Sequence, residues 1–455
     1  MRSGVDEVNE DRGGPLPGVK GASDSVPPTR RYARYVLFMT VVVTLLNVLD
    51  RSIVAILLED IRIDLGASDR AMGFLAGLGF SIVHVMAAIP IARWADRGVR
   101  RSIIAAGVLV WSCATAASGL VHSYLQLLAA RSVVGISEAA GGPPSQSLLA
   151  DYFPPERRAT AMALNSVGAA LGIGLGLVIG GLVGREYGWR TAFIVAGLPG
   201  VAIAILFRLT VREPPRGGFE RRQEALPVTS TREGLAILFR RRSLVLMIIA
   251  AGFHTFVAFS LAIWTPTFLI RLHGMDMATA GLALVVTGPT ATALGAFLGG
   301  RLTDRLAKRD VRWTMYIPAC GAFLAIPWMT AFVMSPASST LQIGPVQLPI
   351  ALLFYAVGSG FAGAYAGATW AMAQTLAPVS VRVLAAAVLT IVSNLIGQGM
   401  GPFSVGWIST ALSARAGEDA LRYALLTPIA ALLVAGTLNL LSSRHLRRDL
   451  GADHL

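Results

Sequence analysis

Residues 92–101 read ARWADRGVRR and residues 300–309 read GRLTDRLAKR. Both follow the pattern small-x-x-x-Asp-Arg-x-x-basic-basic, so Asp96 and Asp304 occupy the same place in the two copies. Clustering of arginine alone would not fix an acidic residue at one position in each cluster. The repeat therefore predicts that the chain consists of two related halves.

Long uncharged segments surround both copies. They are 102–121, 159–184, 243–270, 277–300, 313–381 and 383–414. A bilayer core about 30 Å thick needs about 20 apolar residues per helix, so each shorter segment suffices for one span and 313–381 for two. The chain is 54 % hydrophobic and 14 % charged, against about 25 % charged in soluble proteins. These features predict an all-α integral membrane protein.

Twelve spans account for the pattern. We place them near 34–58, 70–92, 102–121, 124–150, 158–183, 189–211, 244–270, 277–300, 313–334, 347–376, 383–411 and 422–442. The predicted organisation is a disordered cytoplasmic tail (1–29), an N-terminal six-helix bundle (30–211), a cytoplasmic linker loop (212–243), a C-terminal six-helix bundle (244–443) and a cytoplasmic tail (444–455).

Basic residues collect on one side of these spans: before the first, in both repeat copies, in the linker and after the last. The positive-inside rule makes that side cytoplasmic, with both termini inside. The net charge of +13 is thereby explained by cytoplasmic loops, and no nucleic-acid partner is expected. Nearly all basic residues are Arg rather than Lys, which fits GC-rich coding. We therefore expect a bacterial source and, with it, a location in the plasma (inner) membrane.

Ionisable residues inside a span are costly and usually functional. On the first span Asn47, Asp50 and Arg51 share one helical face, and on the fourth span Arg131 and Glu138 share another. Counting 1.5 Å per residue from the outer boundary places Asp50 and Arg131 at matching depth, about 10 Å inside. Two interpretations stay open. The charges neutralise one another, or they line a central cavity in which Arg51 or Arg131 binds an anion and Asp50 and Glu138 exchange protons.

The two repeat copies resemble the signature loop of the major facilitator superfamily, which occurs once in each half. The resemblance implies a major facilitator fold, with twelve transmembrane helices in two pseudo-symmetric bundles that rock about a site near mid-membrane. It also implies a conformational latch on the cytoplasmic side that stabilises the outward-open state. The latch residues would be Asp96, Arg97, Arg100, Arg101, Asp304 and Arg305.

Further motifs in the N-terminal half resemble the Spinster-like branch of that superfamily. They are 47–51, 53–59, the Arg131–Gly135–Glu138–Ala139 run, 151–154, 188–190 and 212–214. Members of known role move lysolipids and sphingoid phosphates. The resemblance assigns substrate and proton roles to Asp50, Arg51, Arg131 and Glu138.

The second half contributes sparsely charged candidates for the cavity wall. They are His254, Trp264, Tyr355, Tyr365, Trp370, Asn394 and Gln398. Opposite the charged residues of the first and fourth spans, they would make a cavity that is ionic on one side and aromatic on the other. A lipid-like anion suits such a shape.

We therefore expect a proton-coupled secondary transporter that works by alternating access, acts as a monomer among membrane lipids and moves an amphipathic anion such as a lysophospholipid or sphingoid phosphate. The alternative is a permease or exporter for small organic acids or drugs, and a channel or scramblase also stays open. An enzyme is not expected, because the six histidines form no metal cluster and no nucleotide-binding loop occurs. No cofactor and no metal are expected.

Overall fold

The computed structural model describes residues 29–215, 230–343 and 346–451. Within these ranges nine helical segments are long and apolar enough to cross a membrane. Two of them, Glu156–Thr210 and Leu384–Gly451, are long enough to cross twice. An interrupted pair of helices, Tyr124–Glu138 and Gly142–Tyr152, supplies one more span. The described chain thus accommodates the predicted twelve spans.

The first half contains seven helices. They are α1 (Arg30–Asp64), α2 (Asp69–Gly73), α3 (Gly79–Arg97), α4 (Arg100–Ser118), α5 (Tyr124–Glu138), α6 (Gly142–Tyr152) and α7 (Pro155–Thr210). A π-helical turn, Phe74–Leu78, joins α2 to α3 into one span. Within α7 the backbone of Gly188 has φ +80°. Because glycine lacks a Cβ, it adopts this angle without strain and separates the fifth span from the sixth.

The linker contains α8 (Thr231–Arg240), and the second half follows it. The helices of the second half are α9 (Arg242–His273), α10 (Met277–Val285), α11 (Ala291–Ala307), α12 (Trp313–Met334), α13 (Ala351–Gly363), α14 (Ala366–Leu376), α15 (Arg382–Val392), α16 (Gly401–Ala416), α17 (Ala420–Ala424) and α18 (Leu426–Gly451). Strands β1 (Thr340–Ile343) and β2 (Val346–Pro349) pair antiparallel between α12 and α13. Short π-helical and 3₁₀ segments fill the remaining joints.

Two segments that the sequence places in a loop and in a tail contain helix. The polar connection between the halves contains α8, whose start is fixed by a capping box of Ser230 and Glu233. Helix α18 continues through residues 444–451, which the sequence places in a tail, because the buried Leu446 and Asp449 pack against the C-terminal bundle. The predicted tail 1–29 lies almost entirely outside the described residues, as do 216–229 of the linker.

The two ends of the bundle differ in how closely the halves approach. We call the end with the linker, Arg30 and Gly451 the linker face, and the end with β1 and β2 the hairpin face. Towards the hairpin face α1 contacts α9, α7 contacts α10 and α2 contacts α16. Towards the linker face the repeat loops are open to solvent, and Trp94 is 58 % exposed. The molecule is therefore closed at the hairpin face and open towards the linker face.

Glycines at every fourth position of α7 bring this helix against α1. A Cβ on Gly168, Gly172 or Gly176 would lie 2.4–2.7 Å from a carbonyl oxygen of α1. Real Cβ atoms do not approach that closely, so these positions require glycine for direct backbone packing. The glycine pattern of the fifth span is thus explained by close packing.

This packing gives the first prediction. In Gly172→Ala the new methyl group would lie 2.4 Å from the Leu45 carbonyl oxygen, so the helices must separate and the midpoint of thermal unfolding should fall. The matched control is Gly174→Ala on the same helix, whose nearest neighbour would be Val285 at an ordinary 3.6 Å. Thermal unfolding in detergent compares the two. Equal midpoints would contradict the packing account.

Candidate functional site

A charged cluster lies inside the N-terminal half, where α1 faces α5. Arg131 donates to Asp50 with 2.8 Å between Nη1 and Oδ2, and both residues are 3 % exposed. Thr115 of α4 donates its hydroxyl to the other oxygen of Asp50. The depth count from the sequence therefore places these two charges correctly. Both oxygens of Asp50 have a donor, so this pair is internally satisfied.

A second ion pair joins the remaining two charges of the cluster. The Nε and Nη2 atoms of Arg51 lie 2.7 and 2.6 Å from Oε2 of Glu138. Glu138 has no exposed side-chain surface, whereas the Arg51 side chain is 27 % exposed. The Arg51 guanidinium also lies 4.9 Å from the centre of the Phe80 ring, which suits a cation–π contact. Arg51 is therefore the one member of this pair that an arriving solute can reach.

Glu138 sits where the fourth span is interrupted. Helix α5 ends at Glu138, and α6 begins at Gly142 with prolines in its first turn. Proline lacks an N–H, so it begins a helix readily and cannot continue one. Among the described residues no donor reaches Oε1 of Glu138, although that oxygen is buried. The tenth span has a matching interruption between α13 and α14. Paired interruptions of this kind mark the substrate site of many transporters.

Arg51 also links the two halves. Its Nη1 donates to Oε1 of Gln398 at 3.3 Å, and Gln398 lies in the π-helical turn Ser393–Met400 of the eleventh span. Such turns interrupt the regular helix and occur frequently at functional sites. A polar contact thus crosses the interface at the level of the ion pairs.

A narrow cavity opens at this point. Its volume is about 40 Å³, enough for a few water molecules. It is lined by Arg51, Val54, Leu75, Ala76, Phe80, Arg131, Phe259, Ile263 and Gln398. Two guanidinium groups and one amide therefore face a wall of apolar and aromatic side chains. A larger solute has to enter from the open linker side.

The other predicted cavity residues differ in where their side chains lie. Gln398 lines the cavity, Asn394 lies one turn before it, half-buried, and Asn47 is half-buried one turn below Asp50. Trp370 is 47 % exposed on α14.

Two predicted wall residues lie in the protein interior instead. Trp264 is fully buried and donates to the carbonyl of Pro402 at 2.8 Å. Tyr355 is 7 % exposed and packs on Phe332 with 5.0 Å between ring centres. The expectation that they face the cavity is wrong, because each large ring is enclosed by neighbouring helices.

His254 and Tyr365 form a separate polar group inside the C-terminal half. The rings stack in parallel with centres 4.2 Å apart, and Nε2 of His254 lies 3.0 Å from Nδ2 of Asn439. His254 is 3 % exposed, whereas Tyr365 is half-buried at the break between α13 and α14. Tyr365 therefore covers His254.

The predicted latch residues behave differently from one another. Arg100 binds Asp151 of its own half at 2.6 Å and Glu213 at the start of the linker at 2.7 Å. Glu213 also accepts from the backbone N–H of Arg101. Asp96, Arg97, Asp304 and Arg305 are exposed, and no ion pair within the described ranges includes them. The repeat loops therefore do not join the halves in this conformation.

The halves are joined at the hairpin face by charges that the sequence leaves unassigned. Arg271 of α9 binds Glu59 of α1 at 2.6 Å and Asp69 of α2 at 2.8 Å. Arg62 binds Glu59 at 2.8 Å, and Ser409 of α16 donates to Asp69 at 2.6 Å. We call Glu59, Arg62, Asp69, Arg271 and Ser409 the hairpin-face cluster. It connects both halves on the closed side.

Two helical bundles around a charged cleft that opens to one face only define a membrane transporter, and comparison with known proteins identifies the family. The chain matches the sequence profile of the Major Facilitator Superfamily over residues 40–402 and belongs to that superfamily, as a Spinster-like member.

An "MFS-type efflux pump" of Mycolicibacterium smegmatis is 32 % identical, over 89 % of this chain and 91 % of that protein. Human "Protein spinster homolog 1" is 29 % identical, over 81 % of this chain and 72 % of that protein. A solved bacterial homologue of the human lysosomal transporter Spinster, in an inward-facing and unoccupied conformation, aligns with a TM-score of 0.84 at 26 % identity. That alignment covers 92 % of this chain and 99 % of the other. The predicted family and fold are thus confirmed.

Proposed function

We propose that this protein is a proton-coupled carrier of an amphipathic anion, such as a lysophospholipid or a sphingoid phosphate, and that it works by alternating access. The observation that carries the proposal is the position of Arg51. Its guanidinium is partly exposed in a cavity with an apolar and aromatic wall, and it contacts a buried carboxylate of one half and an amide of the other. A phosphate or carboxylate fits a guanidinium in a bidentate manner. The apolar wall suits an acyl or sphingoid chain.

Proton coupling follows from the charge balance of the cluster. Asp50 and Glu138 balance Arg51 and Arg131, so the four groups together are neutral. An anion that binds Arg51 adds one negative charge in a region of low dielectric. A proton taken up by Glu138 would restore neutrality and release Arg51 to the anion. Within the described part of the chain no donor reaches Oε1 of Glu138, which supports this role, whereas Asp50 is held by two donors.

The sidedness of the cycle is part of the proposal. Arginines concentrate at the linker face, so by the positive-inside rule we propose that this face is cytoplasmic, in a bacterial inner membrane. The opening towards that face then corresponds to an inward-facing state. The exposed repeat loops are expected to form the latch only when the linker face closes. We propose a monomer, because each chain contains a complete site.

A second candidate function is export of drugs or transport of small organic acids. Export is favoured by the 32 % identity with the "MFS-type efflux pump" of Mycolicibacterium smegmatis. The Arg51 site would bind a small acid as well as a lipid phosphate. The two functions differ in their need for the apolar cavity wall formed by Phe259 and Ile263.

Ligand binding to the purified protein separates the two. Thermal stabilisation and binding should be measured with lysophosphatidic acid, sphingosine phosphate, glucarate and a cationic drug. We expect the two lipid phosphates to bind and Arg51→Gln to weaken them by about ten- to hundred-fold, the value of a lost charge-assisted hydrogen bond. Arg51→Lys should recover part of that loss, because it keeps the charge without the planar fork.

A matched control is Arg415→Gln, which removes an exposed arginine at the hairpin face. It should leave ligand binding unchanged. Binding of glucarate but of no lipid phosphate would favour the organic-acid function. Lipid binding that is insensitive to Arg51→Gln would contradict the proposed site.

A further inference from the structure

A cationic groove lies outside the transport site, at the linker face of the C-terminal half. Its volume is about 340 Å³, and it lies between the end of α8, the start of α9 and the end of α18. Ile237, Arg240, Arg241, Arg448 and Asp449 line it. Among the described residues, three guanidinium groups and one carboxylate thus share a groove that the proposed transport cycle does not use.

The single carboxylate of the groove is already engaged. Oδ2 of Asp449 accepts from the backbone N–H and the hydroxyl of Ser243, both at 2.8 Å. It therefore caps the first turn of α9, a helix of 32 residues whose positive dipole end points to this groove. Arg241 donates to the carbonyls of Leu376 and Asp449 at 2.6 and 3.2 Å, so it is fixed in place by backbone oxygens.

The outer walls of the groove carry the other two arginines. Arg240 is exposed, and the Arg448 side chain is 68 % exposed, with its Nε 3.7 Å from Asp449. One exposed guanidinium group comes from the end of α8 and the other from the end of α18, and a phosphodiester can accept hydrogen bonds from both. The described lining residues carry a net positive charge, so an anion is the expected occupant.

The level of the groove in the membrane indicates where that anion comes from. The uncharged run of α9 begins at Ser243, directly beside the groove, so the arginines lie at the boundary of the hydrocarbon. Helix α8 lies against the bundle, with Leu238 buried, and leaves Phe239 63 % exposed. An aromatic ring next to arginines on a surface helix is typical of a helix at the headgroup layer. Basic pockets at this level bind lipid headgroups.

We propose that this groove binds the headgroup phosphate of an anionic phospholipid of the surrounding leaflet, with Arg240 and Arg448 as its ligands. The lipid would connect α8, and with it the linker between the two halves, to the end of α18. It is a structural lipid and does not share the transported solute's site at Arg51.

The test is lipid retention, measured by native mass spectrometry on protein released from nanodiscs of equal phosphatidylglycerol and phosphatidylcholine. Wild-type protein should retain one phosphatidylglycerol in preference to phosphatidylcholine. The double variant Arg240→Gln, Arg448→Gln should reduce that retention by roughly tenfold or more. The matched double variant Arg208→Gln, Arg309→Gln removes two exposed arginines elsewhere on the linker face and should retain the lipid. Ile237→Glu, which adds a carboxylate to the groove wall, is a second variant with the same expected loss.

Several outcomes would overturn the proposal. They are no preference for phosphatidylglycerol in the wild type, an equal loss in the control pair, and displacement of the adduct by millimolar inorganic phosphate, which would show a site for the free anion. Loss of the adduct in Arg51→Gln but not in the groove variants would place the lipid in the transport cavity instead. Failure of the transport function at Arg51 leaves the expected groove result unchanged.

Discussion

In a Glu138→Gln variant reconstituted into proteoliposomes, accumulation of the substrate should no longer respond to a pH gradient. A gradient of one pH unit supplies about 1.4 kcal/mol per proton, enough for about tenfold accumulation with one coupled proton. Glutamine cannot take up that proton, and it leaves Arg51 without a charged partner in the cluster. The accumulation ratio should therefore fall from about tenfold towards one, while exchange of labelled substrate at equal pH continues.

The control for this variant is Glu186→Gln, which changes an exposed carboxylate at the hairpin face. It should keep the full response to the gradient. Persistent gradient-driven accumulation in Glu138→Gln would contradict the assigned role. Loss of exchange at equal pH would also contradict it, because the variant is expected to retain anion binding.

Asp50→Asn should instead reduce protein stability, since it leaves the buried Arg131 without its partner.

Arg271→Met should open the hairpin face. The substitution removes the cation that the other half supplies to Glu59 and Asp69 and leaves them Arg62 of their own half, while their side chains are only 6 and 9 % exposed. Loss of one partner of a buried ion pair costs about 3–5 kcal/mol, and this cost falls only on the state in which the hairpin face is closed. A change of about 5.5 kcal/mol inverts a two-state population from 1:99 to 99:1, so most molecules should shift.

Distances between spin labels measure this shift. The labels replace Tyr187 and Leu341, which are exposed at the hairpin face of the two halves, after Cys113 and Cys320 are changed to serine. Wild-type protein should show one short distance and Arg271→Met a longer one. Arg415→Met, at an exposed arginine of the same face, is the control and should resemble the wild type. Identical distributions in all three would show that the hairpin-face cluster does not hold the halves together.

The sequence could predict part of the site because helical geometry is regular. A constant rise per residue places Asp50 and Arg131 at one depth, and the structure pairs them. The partner of Glu138 could not be predicted in this way. Arg51 reaches it from another helix through a long flexible side chain, so depth along the axis is a poor guide to which groups meet.

Contacts between the halves were less accessible to sequence reasoning. Arg271 lies about 200 positions from both Glu59 and Asp69, and only the packing of one bundle on the other brings them together. In the sequence these carboxylates are loop charges that locate a membrane face. Trp264 and Tyr355 are predicted in the cavity wall, but the structure buries both rings among helices. A helix that is apolar on all sides gives no signal of which face meets a cavity, so interior rings look the same as wall rings.

The central claim is that an anion at Arg51 and a proton at Glu138 occupy one electrically coupled site. Proton uptake during ligand binding tests it most directly, with the purified protein in weakly buffered detergent solution and a pH indicator. Because the cluster stays neutral, the wild type should take up about one proton for each lipid phosphate monoanion bound, and Glu138→Gln should take up none. Binding without proton uptake in the wild type, or equal uptake in both proteins, would contradict it.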